Sequence, residues 1–128
     1  MKVYHYTDQE SFELINKMKK MLPSTQNTTR DAYGGDGWYF TDLTPDNPEH
    51  LVAYTCWSRE DMTAIKQAKC FFVFEIDPVL LKNPHGRKNV FLLERSCISD
   101  GLLNIDLTYS NAGKIVIKCI GDSCGCRM

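Results

Sequence analysis

Several things are missing from this chain, and each absence closes a route. No apolar run approaches the length of a membrane-spanning helix, so a helical membrane protein is not expected. The first residues, Met1-Lys2-Val3-Tyr4-His5, lack the apolar stretch of a secretory signal, which points to a cytoplasmic site of action. Neither sign of charge prevails: 15 Lys and Arg stand against 16 Asp and Glu, a formal net charge of -1. That balance gives no general attraction for nucleic acid or an anionic membrane, and the lysines at 17, 19 and 20 read as a solvated helix face. There is no repeat, linker or low-complexity segment, so 128 residues are expected to form one domain spanning 1–128. The usual dinucleotide fingerprint is also absent. Gly35-x-Gly37 has no third glycine at the required offset and precedes a strand where it should open a helix.

Cysteine is not scarce, but its six copies are scattered along a chain large enough to build a core without staples. Reduced thiols are therefore expected. Cys119, Cys124 and Cys126 are separated by four residues and then one, with no histidine nearby, which does not match zinc-ligand spacing. No metal is expected.

Hydrophobic periodicity supplies the elements. Residues 2–7 read as a strand. Thr7 and Glu10 have capping-box spacing, and Phe12, Ile15, Met18 and Leu22 would share one face of a helix that Pro23 ends. Residues 24–37 are polar and glycine-rich, a loop of the length usually kept for function. Residues 38–43 follow as a buried strand. Asn47-Pro48 starts a helical stretch that reaches Ala68 with a break near Ser58. Cys70 to Asp77, apolar almost throughout, is the expected central strand. Asn83-Pro84-His85-Gly86 marks a turn, and residues 90–93, 103–107 and 114–120 are the remaining strands. Strands cluster after helices instead of alternating with them, so the fold class is α+β.

Two segments carry candidate chemistry: His5-Tyr6-Thr7 at the end of the first strand, and Gly35-Asp36-Gly37-Trp38-Tyr39-Phe40, a glycine turn feeding a strand. With Pro23-Ser24, Glu75-Ile76-Asp77 and Ile105-Asp106-Leu107 they form an ordered series. In that series the chain resembles the ADP-ribosyltransferase superfamily, in particular its toxin-like class with a His-Tyr-Asp signature. The resemblance implies a split antiparallel β-sheet core with flanking helices and NAD bound as substrate across the cleft. It implies that His5 holds the adenosine ribose and that the Tyr6 backbone meets the nicotinamide carboxamide, with Thr7 supporting the strand end. Tyr39 would stack on the nicotinamide ring, Gly35 and Gly37 would let the backbone approach the ligand, and Asp106 would hold the nicotinamide ribose. Glu75, Glu94 and Asp100 are alternatives for that acid.

Trp38 and Phe40 flank Tyr39 and should face the core. His50 and His85 match nothing in the pattern and are expected at the surface. Arginine-specific members of the superfamily carry a Glu-x-Glu pair, which is absent here, so an arginine acceptor is not assumed. The implied activity is transfer of ADP-ribose from NAD to a protein or nucleic-acid acceptor. NAD hydrolysis and an inactive binding module of the same fold are the alternatives. A delivered toxin of this kind would act in the cytosol of its target cell and have an antitoxin or immunity protein as partner.

Overall fold

The computed structural model describes residues 1–25 and 34–127. Its centre is an antiparallel sheet built on β1 (Lys2–Thr7) and β4 (Cys70–Ile76), which pair along their length from Lys2↔Glu75 to Thr7↔Cys70. On one side of β1 come β3 (Gly37–Thr41), β6 (Val90–Glu94) and the short β5 (Leu81–Lys82). On the other side of β4 lie β9 (Lys114–Cys119) and β8 (Thr108–Asn111), while β10 (Gly125–Cys126) pairs with the start of β4. The order is therefore β5-β6-β3-β1-β4-β9-β8, and β2 (Lys20–Met21) forms a separate two-stranded pair with β7 (Leu103–Asn104). All of these pairings are antiparallel, which agrees with the α+β expectation.

Strand alternation sorts the core onto two faces. Val3, Trp38, Phe40, Phe72, Phe74 and Ile76 pack on one face, where α1 (Gln9–Met18) adds Phe12 and Ile15. Phe12 stacks on Phe72 with ring centroids 4.6 Å apart. Tyr4, Tyr6 and Val73 project to the other face against Val52 and Ala68, under α2 (Glu49–Trp57) and α3 (Met62–Lys66). As expected, Trp38 and Phe40 are buried; the indole N–H of Trp38 donates to the Met21 carbonyl at 2.9 Å.

Four expectations need correction. The N-cap of α1 is Asp8, not Thr7: its carboxylate accepts from Ser11 N at 2.7 Å, a stronger cap than any box centred one residue earlier. The helix also ends at Met18, because Lys19 turns left-handed (φ 63°) and feeds β2, leaving Met18 and Leu22 exposed. The strand expected over 103–107 stops at Asn104, and the turn that follows holds Asp106. Finally, the cysteines are not all reduced. Cys70 and Cys126 form a disulfide, because β10 sets them directly opposite one another. Within the expected long loop, Ser24 and Gly37 bridge the two ends by reciprocal backbone bonds of 2.8 and 2.9 Å. Asn27, Thr28 and Thr29 lie outside the described residues. No helix among the described residues is long and apolar enough to cross a membrane.

Candidate functional site

Between β1 and β3 the sheet is paired at Tyr4↔Thr41 and, among the described residues, has no register pair nearer the Thr7 end. His5 takes the place of the missing ladder. Its Nδ1 lies 2.9 Å from the backbone carbonyl of Tyr39. A carbonyl only accepts, so Nδ1 carries the proton. Burial pushes the His5 pKa below its ordinary value, partly offset by that hydrogen bond, and the ring is neutral at pH 7. Nε2 is then left with a lone pair, an acceptor for a hydroxyl. The edge of Phe40, 5.8 Å away in a T-shaped contact, backs the imidazole.

A cavity of about 220 Å³ opens along this seam, lined by His5, Tyr6, Thr7 and Tyr39 among others. Alternation turns Tyr39 to the face opposite Phe40, so the cavity draws on both faces where the strands part. The tyrosine is held by its own approach turn. Its hydroxyl donates to the Gly35 carbonyl at 2.5 Å and accepts from the Gly34 N–H at 3.0 Å. Gly37 has φ 154°, and a β-carbon there would run into the Leu93 carbonyl. Only glycine lets β3 begin so close to β6.

The other residues named from the sequence fall into three groups. Tyr6 and Thr7 line the cavity with His5, though the Tyr6 hydroxyl is engaged with the Leu43 carbonyl at 2.8 Å. Burial raises the pKa of that phenol, and the Arg127 guanidinium lies 5.4 Å from its ring centroid. Gly35 and Gly37 shape the turn before Tyr39 and are not among the lining residues. Asp106 is exposed on the β7–β8 turn and is not brought to the cavity. The alternative acids are elsewhere too. Glu75 sits 2.5 Å from the Met1 amino group, and Glu94 pairs with Lys82 at 3.0 Å. Glu94 and Asp100 border a separate, open hollow with Asp36 and Arg95. His50 and His85 are exposed, as expected.

Sequence reasoning missed several lining residues, among them two pairs. Asp8 and Ser11 come from the start of α1, Trp57 from the end of α2, and Gln67 from the C-cap of α3. The Asp8-x-x-Ser11 spacing was a legible signal for the first pair; nothing local marks the other two. Cys56 also lines the cavity, but burial pushes its thiol up to about 12, so it is a poor nucleophile.

The class defined to this point is a mixed α+β protein with a cleft at the seam of an antiparallel sheet. A family model described as HYD1 signature containing ADP-ribosyltransferase matches residues 3–103. The chain belongs to this ADP-ribosyltransferase toxin-like family. The matched span takes in His5 and Tyr39 and ends before Asp106. No match is found among curated proteins or among solved structures.

Proposed function

We propose that the protein cleaves NAD at the nicotinamide–ribose bond and transfers ADP-ribose to a protein or nucleic-acid acceptor. The observation that carries this reading is the His5–Tyr39 junction: a neutral imidazole and an aromatic ring fixed on either side of one opened seam, in a chain of this family. The split-sheet architecture of the superfamily is the natural reading of that seam.

The chemistry follows from the groups present. In NAD the ribose C1′ is bonded to a positively charged pyridinium nitrogen. When the bond breaks, its electron pair leaves with that nitrogen as neutral nicotinamide, and positive charge moves onto the ribose, as in glycoside hydrolysis. The acceptor then donates a lone pair to C1′ and gives its proton to solvent. Tyr39 covers the flat ring, with its orientation set by the hydrogen bonds to Gly34 and Gly35. His5 accepts from a ribose hydroxyl through Nε2. A volume of about 220 Å³ is below the roughly 300–1,000 Å³ of sites that enclose a whole ligand. It suits the nicotinamide end, with the remainder of the dinucleotide lying outside the enclosed space.

The test is NAD labelled in its adenylate portion, incubated with the protein in a cell lysate. Label retained on macromolecules and released by protease or by nuclease supports transfer and identifies the acceptor class. Nicotinamide release without macromolecular label means that water is the acceptor. Neither product means the reading is wrong.

A further inference from the structure

We propose that Cys119 and Cys124 are a modification site, a thiol pair that exchanges with a small disulfide such as glutathione disulfide and closes into a second, reversible bridge. Neither residue lines the cavity, so the pair stands apart from the NAD-cleaving reading.

Geometry brings the two thiols together. Cys119 ends β9 and is fixed there by the pairing Phe74↔Cys119 with β4. The chain then bends through the exposed turn Gly121–Ser123, and Cys124 returns against β4. Backbone bonds shape that return: Ile120 N donates to Val73 O at 2.8 Å, and Cys124 N donates to Gly121 O at 3.2 Å. The two sulfurs end 3.9 Å apart. A disulfide is about 2.0 Å long, so side-chain rotation and a small shift of the exposed turn have to close roughly 2 Å. Both residues are partly exposed, within reach of a small disulfide. Cys70 in the existing bridge is fully buried, which shields that bridge from exchange.

The surroundings also give the pair a direction. Cys124 Sγ accepts from the Val73 N–H at 3.1 Å and from the Cys119 thiol. The hydrogen bond from Cys119 lowers the Cys124 pKa, the Val73 N–H adds to the lowering, and burial opposes it. The same thiol–thiol bond raises the pKa of Cys119. Cys124 is therefore the attacking sulfur and Cys119 the resolving one. Cys124 releases its proton to solvent, and its thiolate attacks one sulfur of glutathione disulfide, expelling a glutathione thiolate. That thiolate takes the proton of Cys119, whose sulfur then attacks Cys124 Sγ. The second glutathione leaves as a thiolate and is protonated by solvent. Two protein thiols are oxidised, and one glutathione disulfide is reduced to two glutathione thiols. The closed bridge ties β9 to the segment that carries β10 and Arg127.

The test uses the full chain with its Cys70–Cys126 bridge intact, treated with glutathione disulfide and then with reduced glutathione. Free thiols are alkylated at each stage. Cleavage before Asp122 separates the two cysteines, and the fragments are read by mass spectrometry. The expected result is joint loss of the Cys119 and Cys124 thiols, a Cys119–Cys124 link, and return of both thiols in reduced glutathione. Cys119→Ser should instead hold one glutathione on Cys124, while Cys124→Ser leaves the Cys119 thiol free. The melting temperature of the wild type should move little on closure, because the new loop spans only five residues. Both thiols still alkylated after glutathione disulfide would overturn the assignment. So would a link from Cys124 to Cys70 or Cys126, or glutathione captured on Cys119 in Cys124→Ser. The wild-type map decides the matter even where a variant does not fold.

Discussion

His5 is a residue whose protonation the fold biases through burial. Its folded pKa lies below the ordinary 6.5, so the unfolded chain binds the extra proton more readily. The stability contributed by the neutral ring is fully present above about pH 6.5 and is lost as pH falls through the lowered folded value. Denaturant titrations across that range should show stability dropping toward acid, and His5→Asn should flatten the dependence. Tyr39 separates into ring and hydroxyl. Tyr39→Phe keeps the ring and leaves the bonds to Gly34 and Gly35 unmade, a cost of about 1 kcal/mol measurable by urea unfolding. Tyr39→Ala removes the aromatic face and should lower kcat/KM for NAD by roughly tenfold or more.

Among the elements, the turn into β3 is under the tightest constraint. Gly37→Ala would force a β-carbon against the Leu93 carbonyl at a positive φ, and should cost more than about 1 kcal/mol in an unfolding titration. This turn was legible as glycines before a strand, and so were β1, the buried β4 and the helix break at Ser58, where φ is 57°. Their signals are local: apolar runs, alternation and a left-handed residue. β8 and β10 were not legible. Thr108–Asn111 is polar and largely exposed, and Gly125–Cys126 is a strand only because β4 offers it an edge. The site divides in the same way. His5 and Tyr39, read from strand motifs, line the cavity, whereas Asp106, named from the match of Ile105-Asp106-Leu107 to the class, lies in the turn after β7. Trp57 and Gln67 reach the cavity by the packing of α2 and α3, which no sequence window reports.

Across the whole molecule, the disulfide ties the C-terminal segment to the first residue of the central strand. Cys70 and Cys126 are 56 residues apart, and their pairing cannot be deduced from spacing alone. The bond sets Arg127 beside Tyr6, behind the cavity wall. Cys126→Ser should cost about 2–5 kcal/mol, and reductant should lower the wild-type melting temperature toward that of the variant. A wild type whose melting temperature ignores reductant would mean the bridge does not bear on stability.

The central claim is that the seam between β1 and β3 is where NAD is broken. The most direct measurement is a time course of free nicotinamide from purified protein and NAD, run beside His5→Ala and Tyr39→Ala. The account predicts steady release by the wild type and at least roughly tenfold slower release by each variant. No release by the wild type, or equal release by all three, would contradict it.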